Sequence, residues 1–524
     1  MLRFRFLTFA TLLASIVCGQ ASRVHYTVTV DKAVLDRTNV AMTIDGTGTK
    51  PLSIEMPSWS PGAYEMRNYW KLLTNVAAKD SKGELLELTH LENDRWTFTP
   101  RSWPVTVTYD RLEPAKGLFG SEGTKPRSAK SEHIAFNPTD TYAYVVDGKN
   151  LPCSVGFVIP DGWKLDVALD PSDKPLTFIA PDYDTLADAP VEMGKLTIHK
   201  FTVGGVPYTV TLDREDEKFP MASVENLLRP MIRNAVGMMG GKAPFARYSF
   251  QIHQGPGFGL EHLSSCTISV PYFLMKQAPG QFDTLFAHEF FHCWNIKRIR
   301  PAALGPFNYR EPCRTRHLWF SEGVTDYYAD IIAWRSKVTR DAEFRRSLLS
   351  EISKLQSTKA RLEESVGDSS HAAFDRGDAG LSRLDYYNKG KLIGLCLDLH
   401  LRRVSQGNMT LDHVMRGLLE RHGLPKPGFP EDGFFKVISE IAGVDVEPWL
   451  KRYVDGTDEL PLAEAFEFIG WKLEKRAPNP DNSASRRTTR ESWTLDIMPD
   501  ASVAQKAAFD AWRADPYSEK VTRE

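Results

Sequence analysis

The stretch LFAHEFFHCWNIKRIRP, residues 285–301, constrains the fold and chemistry of this chain more than any other. It sets His288, Glu289 and His292 in H-E-x-x-H order inside an otherwise apolar run. On a helix, positions i and i+4 lie on one face, one turn apart, so both imidazoles can reach one point. The apolar surroundings predict that this helix is buried. Two buried imidazoles and a buried carboxylate are costly unless something compensates them. Zinc does so, because it takes neutral imidazole nitrogen as a ligand. Glu289, beside the first histidine, is then placed to take a proton from water and return it to a departing amine. With 13 histidines in 524 residues, this spacing arises by chance in roughly one such chain in fifty. The context and a further ligand therefore have to carry the reading.

A catalytic zinc site needs a third protein ligand and an open position. RHLWFSEGVTDYYAD, residues 316–330, offers Glu322 at the start of another apolar helical pattern. Asp326 lies one turn further on. It is placed to accept the free N–H of a ligating histidine, by preference His288, and so to set its tautomer and orientation.

These residues carry a resemblance. HEFFHCWNIKRIRP followed by LWFSEGVTDYYAD resembles the glycyl aminopeptidase family of gluzincin metallopeptidases, relatives of aminopeptidase N and thermolysin that often carry a PDZ domain. MPSWSPGAYEMRNYW (56–70), APDYDTLADAPVEMG (180–194) and YYNKGKLIGLCLDLHLR (386–402) resemble further blocks of that family, so the likeness spans about residues 25 to 460. GPGFGLEHLSS (255–265) resembles the exopeptidase motif G-x-M-E-N, with Gly259, Leu260, Glu261 and His262 in the corresponding places.

The resemblance implies Zn2+ as cofactor, held by His288, His292 and Glu322, with Glu289 as the catalytic base. It makes Glu261, with Gly259 beside it, the binding element for a peptide with a free N-terminus. A carboxylate one residue short of the scissile bond favours a charged N-terminus and rejects a blocked one. His262 departs from that motif by standing where asparagine is usual in the better-known aminopeptidases. YYNKG resembles Y-x-K-G and puts Tyr387, rather than Tyr386, in the role of donor to the developing oxyanion.

The implied fold is α+β: an N-terminal antiparallel β domain, then a thermolysin-like domain with a mostly helical second half. Its edge strand, read as CTISV (266–270), would pair with extended substrate. The implied activity is release of small N-terminal residues, glycine or alanine. A zinc endopeptidase on the same scaffold, with Glu261 structural, is the alternative, and a non-catalytic peptide-binding protein is a third reading.

The rest of the chain sets the frame. Residues 1–21 combine Arg3 and Arg5, a short apolar run and a small-residue exit, the pattern of a signal peptide. Cys18 follows Val17, a poor fit to a lipoprotein cleavage site, so export to the periplasm or beyond is expected without a lipid anchor. No later segment is apolar enough to span a membrane. The net charge of −2 offers no basic field for nucleic acid. Residues 22–215 alternate with period two, as in VHYTVTV and VTVTY, and predict the β domain. Residues 216–465 carry the helical patterns of the catalytic domain, at 281–297, 316–336, 341–358 and 383–404. Residues 466–524 form a short polar tail, with a strand and a short helix near its end and no complete PDZ domain. The cysteines beyond the leader are scattered without a C-x-x-C pair and are expected as buried small hydrophobes. Arg298 and Arg300 are expected to cap carbonyls past the motif helix, and His253, His317 and His371 have no evident partner. Nothing in the sequence sets the oligomeric state.

Overall fold

The computed structural model describes residues 21–92, 94–113, 132–375, 384–476 and 492–521. The expected leader therefore lies outside the described residues but for Ala21, as do most of 113–133 and the segment 477–491.

Period-two alternation builds the first half. Val105–Leu112 buries every second side chain, so one face turns inward. It belongs to an eight-stranded sheet whose order is Asp170–Pro171, Thr177–Ala180, Cys153–Val158, Ala21–Thr29, Arg37–Gly46, Val105–Leu112, Leu73–Lys79 and Leu85–Leu86. Neighbours run antiparallel except Ala21–Thr29 and Cys153–Val158, which are parallel with Val24 opposite Cys153. A four-stranded and a three-stranded sheet complete the region. Tyr26, Met42, Val107, Phe136 and Val155 share its core.

A five-stranded mixed sheet follows, in the order Thr197–Val203, Val206–Leu212, Tyr248–Gln254, Ser265–Val270 and Phe258–Glu261. Two placements differ from expectation. The hairpin 197–212, read with the β region that ends at 215, hydrogen-bonds into this second sheet, with Tyr208 opposite Tyr248. Its Phe201, Tyr208 and Val210 sit in the second core. Alternation predicts a strand with one buried face, but not which sheet it joins. The second difference is the edge. Ser265–Val270 is flanked on both sides and wholly buried, as an internal strand should be. The edge strand beside it is Phe258–Glu261.

The helices stack beyond this sheet. The motif helix, Asp283–Phe291, packs against Thr325–Arg335. Tyr386–Val404 packs on the segment before the latter. Near the C-terminus, Trp471–Arg476 pairs with Ser492–Ile497, and a helix spans Val503–Arg513. Trp512 in that helix is fully buried, and its indole N–H donates to the Tyr327 hydroxyl at 3.0 Å. This C-terminal helix is thereby pinned to the one that carries Asp326. Cys153, Cys266, Cys293, Cys313 and Cys396 are all unpaired, and all but Cys313 are buried. No described helix is long and apolar enough to cross a membrane.

Candidate active site

The motif helix ends where its second histidine begins the turn: His292 is the C-terminal cap of Asp283–Phe291. Its Nδ1 lies 2.9 Å from the carbonyl oxygen of Asn295. A carbonyl can only accept, so Nδ1 carries the proton and Nε2 of the neutral ring offers a lone pair. The His288 Nδ1 lies 2.8 Å from Asp326 Oδ1, whose charge favours a proton on that nitrogen. The two Nε2 atoms are 2.9 Å apart. Glu322 Oε2 approaches them at 3.2 Å from His292 and 3.7 Å from His288.

Three acceptors thus converge in a buried spot, and they repel unless a cation lies among them. Two imidazole nitrogens and one carboxylate oxygen, each held from behind, are the donor set of a zinc site. His288, His292 and Glu322 fit such an ion.

Local structure brings Glu322 there. Trp319–Val324 winds as a π-helical turn ahead of the regular helix Thr325–Arg335. Such turns interrupt the ordinary register and re-aim side chains. Asn295 ties this turn to the motif helix, its Nδ2 donating to Phe320 O at 2.8 Å and Thr325 Oγ1 at 3.0 Å. On the other side Gly323 meets Gly390, where an added Cβ on Gly323 would fall 2.4 Å from Gly390 Cα. That close approach sets the Tyr386–Val404 helix against the turn.

Glu289 is buried, and its Oε2 has no hydrogen-bond partner among the described residues. Burial pushes its carboxyl up to about 7, although His288 and His292 pull the other way. Such a group can both take and give a proton near neutrality. The backbone of Gly259 lies directly against the Glu289 side chain.

Glu261 ends the edge strand, buried, with Oε1 lacking a hydrogen bond among the described residues. Behind it runs a charged chain that the sequence did not disclose. Lys297 Nζ is 3.9 Å from Glu261 Oε1 and 2.8 Å from Asp188 Oδ1. Asp188 also accepts from the Leu263 backbone at 2.6 Å and lies 3.3 Å from His262 Nδ1. His262 therefore faces Asp188.

Tyr387 sits beside the ligands, its ring 6.3 Å from that of His288 and 4.9 Å from that of Tyr386. Burial, then the Glu322 charge, pushes its hydroxyl well up, so it stays protonated. Arg298 holds carbonyls as expected, donating to Cys293 O at 2.6 Å and Leu263 O at 2.8 Å. Arg300 instead lies over the Phe307 ring. Two histidines without evident partners have them: His253 Nε2 is 2.6 Å from Glu192 Oε1, and His317 Nε2 is 2.9 Å from Glu431 O. One residue of the N-terminal region reaches the ligands, since the Tyr64 hydroxyl donates to Glu322 Oε1 at 3.2 Å. Its block, MPSWSPGAYEMRNYW, signals only family likeness, with nothing in it to say where Tyr64 points.

Two family models match the chain: the peptidase M61 N-terminal domain over residues 25–195 and the M61 glycyl aminopeptidase over residues 281–393. Among solved structures, an aminopeptidase N family protein from Idiomarina loihiensis is 25% identical, with a TM-score of 0.78 over 91% of this chain and 86% of that one. An M1 zinc metallopeptidase from Deinococcus radiodurans is 13% identical, with a TM-score of 0.53 over 84% of this chain and 95% of that one. Yeast LTA4 hydrolase, solved with bestatin, is 12% identical, with a TM-score of 0.53 over 86% of this chain and 71% of that one. The last two likenesses are of fold. No curated protein matches.

Proposed function

The chain belongs to the M61 glycyl aminopeptidase family, and from that premise we propose that it is an exported zinc aminopeptidase releasing small N-terminal residues, glycine or alanine, from peptides. The observation that carries this reading is the adjacency of two sets of groups. His288, His292 and Glu322 converge on one point, and Glu261, at the end of the neighbouring edge strand, lies within 4.8 Å of Glu289 and His292.

His288, His292 and Glu322 would hold the zinc, which when bound would supply Lewis acidity. The chain's own residues do the rest. An extended peptide runs along Phe258–Glu261 as an added strand. Glu261 pairs with its α-ammonium and sets which bond lies beside Glu289. Glu289 accepts the proton of the attacking water and passes it to the leaving nitrogen. Tyr387 donates to the carbonyl oxygen as charge grows there.

A second reading has one observation behind it. Lys297 lies near Glu261, as a permanent partner of a structural carboxylate would, and that arrangement fits an endopeptidase.

Hydrolysis of glycyl- and alanyl-p-nitroanilide by the mature protein tests the proposal, with one peptide in free and N-acetylated forms. Activity on the free amine alone is expected. It should be abolished by a chelator and fall about a thousandfold in Glu289→Gln. Equal cleavage of both peptide forms would select the endopeptidase.

A further inference from the structure

We propose that Tyr64, from the N-terminal β region, is a positioning residue for the metal: its hydroxyl holds one oxygen of Glu322 so that the carboxylate ligates through the other. This rests on the reading of His288, His292 and Glu322 as ligands.

The two oxygens of Glu322 have different surroundings. Oε2 faces the histidine nitrogens, at 3.2 and 3.7 Å. Oε1 accepts from the Tyr64 hydroxyl at 3.2 Å. A carboxylate with a free second oxygen can swing or bind through both. One whose second oxygen is engaged presents a single, oriented donor. Glu322 is nearly fully buried, and so is Tyr64, so water does not compete for this bond.

The tyrosine is held in place from its own side. Tyr64 has a left-handed backbone, φ 47°, uncommon for a residue with a side chain and maintained only where the surroundings impose it. Its loop is clamped to the catalytic half. Ser58 N donates to Tyr309 O at 2.8 Å, and the Trp59 indole donates to Asn308 O at 2.8 Å. The Tyr64 and Trp59 rings meet Phe374 edge-on, at 5.9 and 5.2 Å. Two residues before Tyr64, the Gly62 backbone lies against Glu261, where an added Cβ would fall 2.7 Å from Oε1. One loop thus touches both the third ligand and the carboxylate assigned to the substrate amine. Metal retention then depends on the docking of the N-terminal region.

The experiment compares wild type, Tyr64→Phe and Tyr69→Phe. Tyr69 is in the same segment, but its hydroxyl bonds Ser60 at 2.8 Å, away from the ligands. Each zinc-loaded protein is mixed with a chromogenic chelator and the release of metal is followed. Each is then loaded with cobalt(II) for visible absorption. Tyr64→Phe should lose zinc about ten- to a hundredfold faster than wild type, while Tyr69→Phe tracks wild type. The cobalt bands of Tyr64→Phe should weaken, because a freed carboxylate raises the coordination number. Release from Tyr64→Phe at the wild-type rate would overturn the inference alone. So would equal acceleration in both variants, which assigns the effect to a loosened loop. A wild type that retains no zinc would overturn the functional reading together with this one.

Discussion

A Cβ placed on Gly259 would lie 2.1 Å from Oε1 of Glu289, 2.2 Å from its Cδ and 2.5 Å from its Cγ. The clash reaches the root of the carboxylate as well as its tip, and Glu289 is buried, so the side chain cannot yield into solvent. Gly259→Ala should therefore displace the proton-transferring group while leaving His288, His292 and Glu322 in place. Misplacement by about an ångström costs roughly a hundredfold in rate. We expect kcat to fall by about that factor with zinc content unchanged. Wild-type kcat in this variant would show that Glu289 works from another position.

Glu261 separates free from blocked N-termini if it pairs with the α-ammonium. Glu261→Gln keeps the shape and removes the charge. A charge-assisted hydrogen bond contributes about 1.5–3 kcal/mol, so kcat/KM on alanyl substrates should drop about 10- to 100-fold. The preference for free over N-acetylated peptide should shrink by the same factor. A loss that leaves that preference unchanged would make Glu261 a structural carboxylate.

The parts of this site that the sequence disclosed are the local ones. His288 and His292 are one turn apart, so helix geometry aligns them; Glu322 and Asp326 have the same spacing, although Glu322 sits in the π-helical turn. The meeting of the two pairs is not local. It depends on Asn295 bonding the π-helical turn and on Gly323 meeting Gly390, and no spacing rule reports either. Tyr64 and Lys297 were illegible for the same reason. The first comes from the N-terminal region yet packs in the second core, beside Glu322, and the second is named by its partner Asp188, which lies in another region of the chain. In the fold, period two marked the strands well. It could not say that 197–212 joins the second sheet, or that Ser265–Val270 is internal, because sheet membership is decided by packing.

The buried Glu192 joins the two regions, and its pH dependence has a definite sign. It accepts from His133 and lies 2.6 Å from His253 Nε2 in the second sheet. Burial alone would raise its pKa, but the two imidazoles outweigh burial and bring it from 4.5 to about 2. A depressed folded-state pKa gives stability that is present above the unfolded value and lost as pH falls toward the folded one. The window is therefore pH 4.5 down to about 2. In urea unfolding, Glu192→Gln should be less stable than wild type by on the order of 3 kcal/mol at pH 7. That gap should shrink as the buffer is taken through the window. A gap that does not change with pH would show that the contact, rather than the ionisation, is what matters.

Lys297 poses a different question, because its removal leaves charge behind. Its ammonium is buried 2.8 Å from Asp188 Oδ1, and burial alone would lower its pKa, yet Asp188 and Glu261 hold it raised. Lys297→Met would strand the Asp188 carboxylate inside the protein, at a cost of about 3–5 kcal/mol. Asp188→Asn on that background removes the stranded charge and keeps an acceptor for the Leu263 N–H, which Asp188 now satisfies at 2.6 Å. The double variant should accordingly unfold at higher denaturant than Lys297→Met alone, the coupling expected of a buried pair. If instead the two losses simply add, the lysine is not compensating Asp188, and its nearer obligation is to Glu261.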